Sequence, residues 1–402
     1  MVNFLTGTGI VGSTIPVTGV GFKPQVIIFF ASGDTAAGDT AARIFQAVSL
    51  GFAVSPTDRC YCAMECADNV DPTTSTFISG RHSNVNCLAV MNSGGGNGGE
   101  ADLQSMGSDG FTLVVNTVFG ASDRIFALCI AGIANAKTGQ FQVPGATGNF
   151  SVNGLGFKPD IVFFMSTDTS AAPPTTHSNA PLMIGMMTSV AQGVVHAFGS
   201  RGTTIRRKYM VTTDCIGLVE TAGGTISERA QYVSMDSDGF TVNFIARANP
   251  RYIHWLAIQG GTWSVGSLTA RNDLTDTVVS GLLFQPAGIL FASDSTLGEV
   301  PGTSVATSVI SIGAASSASS QGCVSETDLD GVNPTNVDRG QRAGEVYQVL
   351  SGGATSAVMR LKSIQTTGFT TVMDLGPGAD ALVLYAAVGD PVFAGNYPHA
   401  GL

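Results

Sequence analysis

Charge is what this sequence has least of. Only 12% of its 402 residues are Asp, Glu, Lys or Arg, about half the ~25% of an ordinary soluble domain. The formal net charge of −10 offers no cationic surface to displace counterions from phosphates, which excludes generic nucleic-acid binding. No apolar run approaches the ~18 residues of a membrane-spanning helix. Met1-Val2-Asn3-Phe4-Leu5 has neither the basic nor the apolar region of a secretory leader. The expectation is a chain made in the cytoplasm with no membrane partner. Gly-x-Ser-x-Gly and His-Glu-x-x-His are both missing, and the glycine runs lack the strand–GxGxxG–helix setting of a nucleotide site. No Asp or Glu recurs at equivalent strand ends, as paired carboxylates for glycoside hydrolysis would need. A non-enzyme is therefore expected, with no catalytic residue and no cofactor. The seven cysteines are an odd number in a long chain, which argues against a disulfide framework.

What is abundant is small and apolar. Glycine fills 51 positions and 44% of residues are hydrophobic, so the chain folds, because disorder needs the opposite balance. One stretch recurs three times. Gly21-Phe22-Lys23-Pro24 leads into Val26-Ile27-Ile28-Phe29-Phe30, Gly156-Phe157-Lys158-Pro159 into Ile161-Val162-Phe163-Phe164, and Leu283-Phe284-Gln285-Pro286 into Ile289-Leu290-Phe291. Each run is too short for a core helix and is punctuated as a buried strand is. A second motif, Ser108-Asp109-Gly110-Phe111-Thr112, returns as Ser237-Asp238-Gly239-Phe240-Thr241 and as Thr367-Gly368-Phe369-Thr370. Its glycines are 129 residues apart in both intervals. Asp-Gly makes a tight turn and the following alternation starts a strand.

Further strands are expected at residues 44–48, 182–186 and 308–312, at 87–91, 215–219 and 346–350, and at the closing runs 125–130, 253–258 and 381–388. Cys87, Cys129 and Cys215 fall in these runs and read as small apolar residues. Gly-rich turns follow the second set, at Gly94-Gly95-Gly96, Gly223-Gly224 and Gly352-Gly353. No amphipathic helix longer than three turns is found. The prediction is an all-β chain of three tandem homologous antiparallel β-sandwich units, jelly-roll-like, with pseudo-threefold repetition. The units are 1–133, 134–262 and 263–390, joined first at Asn135-Ala136-Lys137-Thr138-Gly139, with an extended tail at 391–402. The segments that diverge most, 58–81, 167–181 and 315–342, read as long loops, either binding surfaces or flexible tips.

Four groups of side chains could carry chemistry. Cys60-x-Cys62-x3-Cys66, with Glu65 and His82 beyond it, has irregular spacing for a tetrahedral zinc site, and loop cysteines are the plainer reading. Asp328-x-Asp330-Gly331-x-Asn333, with Asp338 downstream, sets hard oxygens around a turn but lacks the order of a calcium loop; a solvated turn is plainer. Arg201, Arg206, Arg207 and Lys208 form the one basic cluster. They read as charged hairpin-edge residues, or, for Arg206, Arg207 and Lys208 together with Tyr397, as a contact for a partner. Among the histidines, His82, His177 and His399 read as exposed, and His254 as a sandwich residue beside Trp255.

The pairing of Gly-Phe-x-Pro and an apolar strand with Ser-Asp-Gly-Phe-Thr ~90 residues later resembles β-sandwich modules of tailed-bacteriophage structural proteins, among tail and head-decoration proteins. The likeness is clean in the first two units and weaker in the third, where Leu283 replaces Gly and Thr367 replaces Asp. It implies a virion location and other virion proteins, capsid or tail subunits, as partners, with the chain itself an oligomer in the assembly. The leading expectation is a capsid decoration or cement protein on the outer head surface. The alternative is a tail, baseplate or receptor-binding component whose loops meet host glycans, for which Tyr61, Tyr209 and Tyr397 are the aromatic candidates.

Overall fold

The computed structural model describes residues 1–34, 38–40, 46–92, 96–219, 225–298 and 300–389. Among them the chain is all-β, with antiparallel sheets arranged in repeated sandwich-like units and no helix. The tail with Tyr397 and His399, and the glycine turns at 94–95 and 223–224, lie outside the described residues.

In the first unit a large sheet runs in the spatial order Val2–Leu5, Arg124–Ile130, Val26–Ala31, Gln46–Ser55, Asp58–Cys66, Ile78–Ser83. A four-stranded sheet, Thr14–Thr18, Gly110–Thr117, Gly96–Gly107 and Leu88–Asn92, covers one face of it. The second unit repeats this order from Asn135–Gln142 to Arg206–Val211, and the third from Thr262–Ala270 to Val337–Ala343. Residues 135–139, read as a joint, are thus part of the edge strand of the second large sheet, paired with Tyr252–Gln259.

The recurring apolar runs are the middle strands Val26–Ala31, Ile161–Ser166 and Pro286–Ser293. Their continuous hydrophobicity has a physical cause, since both faces are covered. In the first, Ile27, Phe29 and Ala31 point into the unit's own sandwich core. Val26, Ile28 and Phe30 point the other way, into one central core that all three units share. Phe163 of the second unit meets Phe52 of the first with ring centroids 6.4 Å apart, and Trp263 of the third at 5.9 Å. Each such side chain fully buried stabilises by roughly 1.5–3 kcal/mol.

The two sequence motifs turn out to grip each other. The Asp109 carboxylate accepts from the amides of Gly19 at 3.0 Å and Gly21 at 2.7 Å, and Asp238 does the same for Gly154 at 3.0 Å and Gly156 at 2.6 Å. These bonds hold both carboxyls below their ordinary range. In the third unit Thr367 keeps only the main-chain bond, from Leu282. Glycine follows in all three because a Cβ at Gly110, Gly239 or Gly368 would lie 2.0, 1.8 or 2.0 Å from the carbonyl oxygen of Val17, Val152 or Val279.

The divergent segments are only partly loops: residues 67–77, 167–174 and 329–336 lie outside strands, and the rest is largely sheet. Residues 58–81 hold the strand Asp58–Cys66 and most of Ile78–Ser83, and residues 315–342 hold Ser320–Asp328 and most of Val337–Ala343. They diverge because they build the contacts between units, and each pair of units meets differently.

Candidate functional site

The site that organises the molecule is the set of three junctions between units. After its middle strand each unit sends out a short arm that pairs with the free edge of another unit. Thr175–Ser178 of the second unit adds to Ile78–Ser83 of the first, with Thr175 opposite His82 and Ser178 opposite Ser79. Val305–Ala306 of the third adds to Arg206–Val211 of the second, with Arg207 opposite Ala306. Gly38–Thr40 of the first adds to Val337–Ala343 of the third, with Gly340 opposite Asp39. Every large sheet thereby has seven strands, and the exchange closes into a ring.

Beneath each arm a side chain of the receiving sheet reaches a carbonyl at the arm's base. His82 Nε2 lies 3.1 Å from the Ala171 oxygen. Lys208 Nζ donates to the Asp294 oxygen at 3.1 Å. Arg339 Nη1 donates to the Ser32 oxygen at 2.6 Å and Gln341 Nε2 to the Asp34 oxygen at 2.8 Å. Burying those carbonyls without donors would cost ~1–3 kcal/mol each.

The basic cluster and the acidic turn are two halves of one junction. Arg206 is buried and pairs through Nε with the Asp328 carboxylate, and its amide donates to Asp330 Oδ1 at 2.7 Å. Arg207 pairs with Asp330 at 2.7 Å. Asn333 Nδ2 donates to Asp71 of the first unit at 3.0 Å. Arg206, Arg207 and Lys208 therefore meet another part of their own chain, and Asp328, Asp330 and Asn333 are joined to protein groups rather than grouped around an ion. Burial pushes the Asp328 carboxyl up to about 6 against the pull of Arg206. Glu326, two residues earlier, is pushed well above the carboxylate range by burial and then by repulsion from Asp328.

Cys60, Cys62 and Cys66 sit in a strand rather than a loop, where even spacing puts all three thiols on the central-core face. Burial pushes each thiol well up. All seven cysteines are buried. Among the described residues no group of three or more His, Cys, Asp or Glu is arranged to hold a metal ion.

Tyr61 and Tyr209 are buried too. The Tyr61 hydroxyl meets Glu100 and receives Arg81 Nε at 2.7 Å, and Tyr209 donates to Asp214 Oδ2 at 2.9 Å. Neither is a loop-tip aromatic that a sugar could stack on. His82, expected exposed, is buried and lies 2.9 Å from His254 across the first junction. His254 faces the central core rather than its own sandwich, and His177 is half-buried over Gly80.

Two of the concavities that open at junctions measure about 520 and 510 Å³. The first lies between the first and third units and is lined by Val2, Val20, Phe22, Leu128, Ile130 and Val388 among others. The second includes Asp68, Thr335 and Asp338. Its two carboxylates accept main-chain amides, Asp68 from Val337 at 2.9 Å and Asp338 from Gly353 at 3.0 Å.

No family model matches the chain, and no curated protein matches it. Solved structures give only faint likenesses. Mouse laminin alpha1 chain, domains LG4-5, is 8% identical with a TM-score of 0.10, covering 64% of this chain and 90% of that one. A fructofuranosidase from Schwanniomyces occidentalis complexed with fructosylnystose is 9% identical with a TM-score of 0.16, covering 94% and 100%. Salmonella typhi OmpF complexed with daunomycin is 7% identical with a TM-score of 0.10, covering 92% and 100%. At these scores the likenesses carry no argument about what the chain does.

Proposed function

We propose that this chain is a non-enzymatic virion structural protein of a tailed bacteriophage, a decoration or cement subunit that binds the outer surface of the head. The observation that carries the reading is the closed ring of exchanged arms. One chain supplies three similar bodies around a pseudo-threefold axis, which is the surface a trimer would offer to three shell subunits around a local threefold position. Interlocked arms make the ring a single rigid piece, and sparse charge leaves apolar and main-chain contacts to do the packing. The sequence likeness to phage β-sandwich modules supports the same setting.

The test is co-sedimentation of the purified chain with undecorated capsids and, separately, with tails. Saturable binding to capsids alone supports the reading. Binding to tails or to a glycan array, with none to capsids, replaces it with the tail or receptor-binding role. Release of sugar from a host polysaccharide, abolished by Asp-to-Asn or Glu-to-Gln changes, would make the chain an enzyme.

A further inference from the structure

The junction between the first and second units is built on a pair of imidazoles that the other junctions lack. Strand register sets the equivalences. His82 faces Cys62 as Met210 faces Val195 and Gln341 faces Val324. His254 faces Met165 as Phe126 faces Phe30 and Leu384 faces Ala292. Thus the first junction holds titratable rings where its counterparts hold an amide, a thioether or a hydrocarbon.

The protons can be counted. His82 Nε2 must carry hydrogen to donate to the Ala171 oxygen, so His82 Nδ1 accepts, and the hydrogen between the rings belongs to His254 Nε2. His254 Nδ1 is then bare, buried and without a partner. One added proton is accommodated if the hydrogen between the rings moves to His82 and His254 holds its own on Nδ1. That leaves a buried cation. A second added proton sets N–H against N–H at 2.9 Å, and the pair must separate.

Little around the pair favours charge. From its own strand His82 faces Arg81, and from the arm it faces His177, which lies against Gly80. The Tyr252 ring is 5.9 Å away. His254 faces His82 and, on its neighbouring strands, Met165 and Gln140. The carboxylates beside the nearby arginines are engaged, Glu100 by Arg81 at 2.9 Å and Asp168 by Arg251 at 2.9 Å.

We propose that the arm of the second unit, residues 169–178 with the strand Thr175–Ser178, is an acid-released latch: protonation of the His82–His254 pair undocks it from the first unit while the other two arms stay seated. Burial supports this, holding His82 at about 4, His254 at about 3 and His177 at about 4. All three lie below the ordinary imidazole value of 6.5. Their neutral forms therefore favour the docked arm fully above pH ~6.5, and that contribution declines as pH falls from ~6.5 through about 4.

Hydrogen exchange on the full chain, corrected for intrinsic rates and run from pH 7 to pH 4, tests the latch. Protection of Thr175–Ser178 and of its partner Ile78–Ser83 is expected to drop at least ~10-fold, the effect of a one-unit shift in a single imidazole, while Val305–Ala306 keeps its protection. The double variant His82→Gln, His254→Phe places in the first junction the residues that the third and first units carry at those positions. It is expected to hold its arm down to pH 4. Should that variant not fold, His82→Gln alone, with imidazole NMR on the wild type, decides between the same two outcomes. Protection unchanged between pH 7 and 4, equal loss in the variant, release of all three arms together, or folded-state imidazole midpoints near 6.5 would each overturn the latch.

Discussion

Adding one methyl group at three places should cost the same large amount, although the three sequences around them share little. Gly51, Gly185 and Gly313 lie in Ser-Leu-Gly-Phe, Met-Ile-Gly-Met and Ser-Ile-Gly-Ala. In the fold all three sit opposite the middle strand, facing Phe29, Phe164 and Phe291. There the four-stranded sheet begins against them. A Cβ would stand 1.9 Å from the Cys87 oxygen, 1.9 Å from the Cys215 oxygen and 2.1 Å from the Val346 oxygen. The obstacle is main chain, so no rotamer change relieves it, and one sheet must shift by about 1.5 Å to restore an ordinary contact. Overpacking of this kind costs ~1–3 kcal/mol, and each ladder hydrogen bond loosened by the shift adds ~0.5–1.5 kcal/mol. Gly→Ala at each position is thus expected to destabilise by roughly 3 kcal/mol. Gly120→Ala, with open space around it, should stay within ~0.5 kcal/mol of wild type. Urea unfolding followed by tryptophan fluorescence reads all four. Any of the three tight sites tolerating alanine as well as Gly120 does would refute the claim of equivalent sheet contacts.

Three other outcomes follow from the same geometry. Arg206→Met strands the buried Asp328 carboxylate and should cost ~3–5 kcal/mol in urea unfolding, whereas Arg206→Met with Asp328→Leu should recover most of it. Thiol-reagent titration of the native protein should find Cys60, Cys62 and Cys66 unreactive, with all seven cysteines reacting once the chain is unfolded; rapid native labelling of these three would contradict their place in the core. Asp109 and Asp238, held low by the glycine amides, contribute stability that is present above the unfolded carboxylate value of ~3.9 and is lost as pH falls through their lower folded values. Asp109→Ala with Asp238→Ala should therefore lower stability at pH 6 and flatten the acid limb of a melting-temperature profile, and an unchanged limb would count against the turn grip.

Much of the fold is legible in the sequence. A strand buried on both faces needs an unbroken apolar run, and Val26–Ala31 and Ile161–Ser166 have one. Turns that need a carboxylate and a bare Cα leave Asp109-Gly110 and Asp238-Gly239. The arms are hidden because pairing by main chain makes no demand on side chains. Gly38–Thr40, Thr175–Ser178 and Val305–Ala306 are three, four and two residues long, too short for a period to show. Cys60, Cys62 and Cys66 invite a ligand reading because three thiols in seven residues draw the eye, whereas their even spacing is that of a strand's inner face. Arg206 reads as surface because nothing in its neighbourhood names a partner 122 residues away. The tight glycines leave one signal, an offset of 26 or 27 residues from Pro24, Pro159 and Pro286, which only the repeat makes visible.

The ring itself is tested by cutting it. A protease site inserted after Gly132 and another after Gly260 would divide the chain into its three units when cleaved. Size-exclusion chromatography of the cleaved protein under native conditions then decides the matter. Interlocked arms and a shared core predict one particle that elutes with the uncut chain and yields three fragments only in denaturant. Three separate bodies, each about a third of the size, would contradict the closed exchange on which the account stands.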